Sequence, residues 1–227
     1  MFTLNPLPTP VAPDLLTLLR DAEPATIGHF LHTGFMDPAV RLITQGYVRI
    51  AGTAVTARCY GADTTIVHYA LGQLRPGDIL VLDRAGDTRH AACGGGVAFA
   101  AKAAGCIGIV IDGTATDVQE LREFGLPVWA RGLSAVTGKR QFGHGEFCVP
   151  VSCGGVPVEP GDAVLADENG VLVLKPAQIK AAAERAIGMQ GDEKIRYPRI
   201  TAGEKLPDIN GTNARIREIM AQERAKA

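Results

Sequence analysis

The sequence predicts an α/β fold: a parallel βαβ core with short antiparallel strands attached. Three observations predict it. Continuous apolar runs recur at Ile79–Leu82, Ile107–Ile111 and Leu126–Trp129, as expected of strands buried on both faces. Between them lie segments of helical character, 97–104 and 117–124, ended by Gly105 and Gly125. Strand, helix, strand, helix, strand in that order gives a parallel sheet with right-handed crossovers.

The elements follow in order. Three prolines (Pro6, Pro8, Pro10) keep the start extended, and Pro13-Asp14 opens a helix, because proline suits the first helical position and aspartate the positive helix end. A second helix is expected over 25–35. From Tyr47 to Cys59 the β-branched residues read as a strand with a bend at Gly52. Ile66, Ala70, Leu71 and Leu74 have helical spacing, and Pro76-Gly77-Asp78 is a turn into the first buried strand. After Trp129, short strands are expected at 146–151, 156–158, 163–165 and 171–174, separated by glycine turns such as Pro160-Gly161-Asp162. A helix over 176–189 and a charged tail over 190–227, helical from Asn213 to Lys226, complete the chain. The expected organisation is an arm and helix (1–24), one α/β domain (25–189) and a tail that contacts a neighbouring subunit or stays partly mobile (190–227).

Bulk properties narrow the function. The chain has 227 residues, 46% apolar and 21% charged, enough for a sizeable core. Its 23 basic and 24 acidic side chains leave a net charge of -1, without the basic footprint of a nucleic-acid or anionic-membrane binder. No apolar run reaches transmembrane length and the start lacks a signal-peptide pattern, so the expected location is cytoplasmic. Five cysteines without C-x-x-C spacing read as reduced thiols.

Two segments carry chemistry. Gly94-Gly95-Gly96 opens a helix, where unpaired N–H groups and partial positive charge hold anions and glycine lets a ligand approach the backbone. A tight turn packed on the sheet would use the same residues. The second segment is Asp112-Gly113-Thr114-Ala115-Thr116-Asp117, expected at the carboxyl end of a strand, where ligands of open α/β sheets gather. A carboxylate there suits Mg²⁺ or Mn²⁺ with several waters, or a helix cap. A dinucleotide site is excluded, because Phe99 stands where G-x-G-x-x-G needs its third glycine. Arg89 and His90 precede the glycines as candidates for anion binding and proton transfer, and Arg131 is a further cation. His29, His32, His68 and His144 show no partner in sequence.

With Gly52-Thr53-Ala54-Val55-Thr56, Pro76-Gly77-Asp78, Gly108–Gly113 followed by Asp117, Gly125–Gly132, Gly154-Gly155-Val156 and Asp167–Val171, the chain resembles the regulator-of-ribonuclease-activity-A-like family. That family includes the 4-hydroxy-4-methyl-2-oxoglutarate / 4-carboxy-4-hydroxy-2-oxoadipate aldolases. The resemblance implies a β/β/α swivelling-type fold, trimers or hexamers, and a metal-dependent carbon–carbon lyase acting on a 2-oxo acid and releasing pyruvate or a related enolate. It implies Asp117 as ligand of Mg²⁺ or Mn²⁺, and Gly94, Gly95, Gly96 and Val97 as the cradle of the pyruvate carboxylate. The chain departs twice from the pattern: Gly95 replaces an acid that orients metal-bound water, and Thr116 replaces an arginine that clamps substrate. Arg89 or His90 would then take over work lost at those positions. The alternatives are a non-catalytic regulator that binds a protein partner, and a related enzyme with a changed substrate.

Overall fold

In the computed structural model, which describes residues 1–44 and 46–226, the chain runs through β1 (Phe2–Leu4), α1 (Pro13–Asp21), α2 (Pro24–Ile27), β2 (Arg41–Leu42), β3 (Ile50–Arg58), α3 (Thr65–Leu71) and β4 (Asp78–Asp83). There follow α4 (Gly95–Ala103), β5 (Gly108–Ala115), α5 (Val118–Phe124), β6 (Val128–Leu133), β7 (Gly145–Phe147), β8 (Val151–Cys153), β9 (Val156–Val158), β10 (Ala163–Asp167) and β11 (Gly170–Leu174). The C-terminal part is helical: α6 (Ile179–Thr201), α7 (Leu206–Ile209) and α8 (Thr212–Arg224).

The expected parallel core is β3-β4-β5-β6, adjacent in that order. Antiparallel strands extend it: β2 on the β6 edge, β10 then β11 along the first half of β3, and β7 along its last residues. Strand pleating sorts the apolar runs between two faces. Leu80, Leu82, Ile109, Ile111, Val128 and Ala130 meet α3, α4 and α5 through Ile66, Ala98, Ala101 and Leu121. Ile79, Val81, Val110 and Trp129 meet the β8–β9 hairpin through Val151, Cys153, Val156 and Val158. Helices on one face and a hairpin on the other make the β/β/α layering. The indole N–H of the fully buried Trp129 donates to the Asp167 carbonyl at 2.8 Å, which satisfies the ring's one polar atom. A third cluster packs Leu19 of α1 and Ile179 and Ala183 of α6 against Leu165 and Leu172.

Several expectations need correction. The helix over 25–35 is only the single turn α2, because Gly34 has φ +85° and Phe35 bridges to Leu172 of β11, drawing the segment out along the sheet. The helix expected to stop at Met189 continues to Thr201, because Gly188 and Gly191 keep helical backbone; it ends one turn after Pro198. Only its first two turns are buried, and beyond them Ile195, Ile200, Leu206, Ile216, Ile219 and Met220 are exposed. Asp112 is not at a strand end, since β5 runs on to Ala115 through an irregularity between Ile111 and Thr114. All five cysteines are buried free thiols. No helix among the described residues is long and apolar enough to cross a membrane.

Gly52 is not a bend either; β3 passes straight through it. A Cβ there would lie 2.6 Å from the Gly77 carbonyl oxygen and 2.8 Å from Cγ1 of Ile79, so the residue is glycine because the β4 approach is close. Gly52→Ala should therefore cost about 1–3 kcal/mol of stability, the usual range for overpacking. Urea unfolding of the two proteins side by side measures it.

Candidate active site

The glycine loop and the end of β5 are laced together by main-chain bonds. Ala92 N–H donates to the Thr114 carbonyl at 3.0 Å, and Thr116 N–H to the Cys93 carbonyl at 2.8 Å. This pairing sets the start of α4 directly beside Thr116 and Asp117. Gly94 is extended and makes no side-chain cap, and the first intrahelical bond runs from Ala98 N–H to the Gly94 carbonyl. Gly96 and Val97 therefore keep N–H groups without an intrahelical acceptor.

Asp117 has left-handed backbone, φ +52° and ψ +41°, a conformation that aspartate tolerates better than most residues. Its side chain leaves its own helix uncapped. Instead Oδ2 accepts the Gly95 N–H at 3.1 Å and Oδ1 the Thr116 hydroxyl at 3.3 Å. The glycines are explained by what sits on them. A Cβ on Gly94 would collide with Oδ2 of Asp117 and one on Gly95 with Oε2 of Glu120. Two carboxylates thus crowd the positive end of α4, a favourable placement for negative charge.

Gly94, Gly96, Val97, Thr116 and Asp117 line one open pocket of about 210 Å³ together with Thr64, His68, Thr137 and Gly138. Asp117 also faces an adjoining hollow with Gln119, Glu120 and Glu123. Next in the chain to the pocket residue Thr64, Asp63 has a buried carboxylate that accepts N–H bonds from Thr65, Gln141, Gly143 and His144 and the Thr65 hydroxyl bond at 2.6 Å. Burial pushes Asp63 up, but these hydrogen bonds, led by those from Thr65, outweigh it and hold the carboxyl well below the usual range. A roomier hollow of about 570 Å³ lies elsewhere, between the 31–35 segment, β9 and β11, and takes in His32 and Lys175. Its cation, Lys175, is already paired with Glu159 and Asp162.

Arg89 and His90 do not line this pocket. Their N–H groups both donate to Oδ1 of Asp87, and Nδ1 of His90 lies 2.7 Å from Oδ2, so the loop is folded on its own aspartate. Those hydrogen bonds, His90's first, outweigh burial and keep Asp87 below its ordinary pKa. Arg131 is bound by Asp112 and, at 2.9 Å, by Asp37, while Asp112 also accepts the Gly154 N–H at 2.9 Å. Arg131 and Asp112 thus tie the sheet to the β8–β9 hairpin. His68, set aside in the sequence, is in the pocket; desolvation first and the charge of Arg140 second lower its pKa. Neither His68 nor Glu120 carried a motif, because the glycine loop that meets them comes from a distant segment.

No three His, Cys, Asp or Glu side chains converge among the described residues, so there is no all-protein metal cage. What the site offers is exposed carboxylate oxygen from Asp117, with Glu120 one turn on. That donor chemistry fits a hard cation that keeps most of its waters.

The family profile described as "RraA-like: Aldolase/RraA" matches residues 19–173. The chain belongs to the RraA-like family. Among RraA-like relatives, a putative 4-hydroxy-4-methyl-2-oxoglutarate aldolase of Halalkalibacterium halodurans is 34% identical, over 67% of this chain and 72% of that protein. A 4-hydroxy-4-methyl-2-oxoglutarate aldolase of Thermus thermophilus is 38% identical, over 57% of this chain and 77% of its own length. Among solved structures, Streptomyces coelicolor RraAS2, described as an unusual member of the RNase ES inhibitor RraA family, superposes with a TM-score of 0.73 at 25% identity. The match covers 83% of this chain and 98% of RraAS2. The RraA-like fold is therefore shared across proteins named for aldolase activity and proteins named for inhibition.

Asp63 gives a pH test of how the 141–144 segment is held. A carboxyl with depressed folded pKa stabilises the fold above its unfolded value of about 4 and loses that contribution as pH falls through the folded value. Asp63→Asn should cost about 1–3 kcal/mol at neutral pH. In urea titrations the gap to wild type should narrow steadily below pH 4.

Proposed function

We propose that this chain is a divalent-cation-dependent carbon–carbon lyase that cleaves a 2-oxo acid and releases pyruvate. The observation that carries this reading is the juxtaposition of Asp117 with the uncapped start of α4. Aldolase names among the relatives support the reaction type. Asp117 would hold Mg²⁺ or Mn²⁺, with Glu120 beside it. Such a cation polarises a 2-oxo group and stabilises enolate charge. The Gly96 and Val97 N–H groups would receive the substrate carboxylate, while the Gly95 N–H stays committed to Asp117. Thr116 offers one hydroxyl where a guanidinium would offer a fork, so the carboxylate would be held mainly by backbone.

One observation favours a second reading, a regulator without catalysis: no arginine or lysine lines the pocket. Catalysis separates the two. Purified protein with Mn²⁺ and a panel of 2-oxo acids, including oxaloacetate and 4-hydroxy-4-methyl-2-oxoglutarate, should release pyruvate in a lactate-dehydrogenase-coupled assay. Asp117→Ala should remove that activity. Turnover that survives Asp117→Ala would discard the lyase mechanism, and silence of the wild type on every acid would favour the regulator.

A further inference from the structure

The histidines differ sharply in what occupies their rings. His90 is held by Asp87, and His144 packs edge-on against Tyr60 with Nδ1 3.8 Å from Asp63. His32 belongs to the other hollow. His68, in the last turn of α3, opens onto the glycine–Asp117 pocket, and only it and Asp117 among the lining residues can titrate. Its side chain is exposed at the pocket, and among the described residues none hydrogen-bonds the ring.

We propose that His68 is the proton-transfer residue of this site. It takes the proton of the 4-hydroxyl group as the C3–C4 bond of a 4-hydroxy-2-oxo acid breaks, and returns it to C3 of the departing pyruvate enolate. The step balances without a further reactant. The C3–C4 electron pair stays with C3, C4 becomes the carbonyl carbon of the second product, and one proton travels from oxygen to ring to carbon. The assignment rests on the lyase reading above and adds to it the base that the cation and the N–H groups do not provide.

The surroundings suit a base. Desolvation and then the Arg140 charge disfavour the imidazolium and so favour the neutral ring. The charged groups around it are Arg140 and, across the pocket, Asp117; α4 shows it only Gly94, Gly96 and Val97, and the 137–138 wall a threonine and a glycine. An imidazole held below its ordinary pKa, and so favoured as the free base, suits general base catalysis.

The test is steady-state cleavage of 4-hydroxy-4-methyl-2-oxoglutarate across pH 5–9 by Mn²⁺-loaded wild type, His68→Gln and His68→Asn. Melting curves and Mn²⁺ affinity by electron paramagnetic resonance accompany it. Both variants should melt like wild type, since His68 is an exposed helix residue, and should bind Mn²⁺ as tightly. Their kcat should fall by about 10²- to 10⁴-fold, the usual share of a general base. The acid limb of the wild-type kcat/KM profile, placed below the ordinary imidazole value of about 6.5, should vanish in both. Active wild type with either variant within a few-fold of it and the limb unmoved overturns the assignment and leaves the lyase reading standing. Wild type that cleaves no 2-oxo acid overturns both.

Discussion

Two short main-chain contacts bring the glycine loop and Asp117 together. The bonds from Ala92 to Thr114 and from Thr116 to Cys93 extend the sheet by a fragment of pairing just past the helix-covered core. They fix where α4 begins relative to the end of β5. Without them the glycines would be an ordinary turn and Asp117 an ordinary loop acid. The irregularity in β5 belongs to the same device: Gly113 has no Cβ, which would strike the buried Arg84 side chain, and the strand resumes in register with β6 at Thr114. A core strand is thus lengthened to deliver its last residues to a pocket.

The start of α4 is electrostatically busier than a bare anion hole. Its positive end already meets two of the protein's own carboxylates, Asp117 and Glu120. A substrate carboxylate arriving there meets repulsion from both unless positive charge intervenes. On the proposed lyase reading, anion binding would be coupled to cation binding: the N–H groups of Gly96 and Val97 would serve a 2-oxo acid chiefly when the carboxylates beside them are neutralised. This coupling also bears on the departures from the family pattern. Gly95 is small because the Glu120 carboxylate occupies the space a side chain would need.

Much of this was legible in the amino-acid sequence. Apolar runs such as Ile79–Leu82 must be buried on both faces, and glycines at 105 and 125 end the helices between them, so the parallel core followed from period and punctuation. Gly94, Gly96, Val97, Thr116 and Asp117 were legible as a group through the family resemblance. What stayed hidden depends on distant contacts. Nothing local distinguishes Asp63 from a turn aspartate until the 141–144 segment returns to donate to it. His68 sits in an amphipathic helix with no motif, and apart from Thr64 its pocket-mates lie on distant segments, from Ala91 to Gly138. Arg89 and His90 were drawn to the site by proximity in sequence, whereas Asp87 turns that loop on itself.

The buried thiols have a practical consequence. Burial raises Cys93 to about 12 and Cys148 to about 11, and moves Cys59, Cys106 and Cys153 upward as well. The thiolate is the reactive form, so at neutral pH the folded chain presents almost none. A single cysteine introduced on the exposed surface of α8 would then be the sole quick target for a maleimide dye or spin label. The native chain is in effect already a cysteine-silent background for distance measurements.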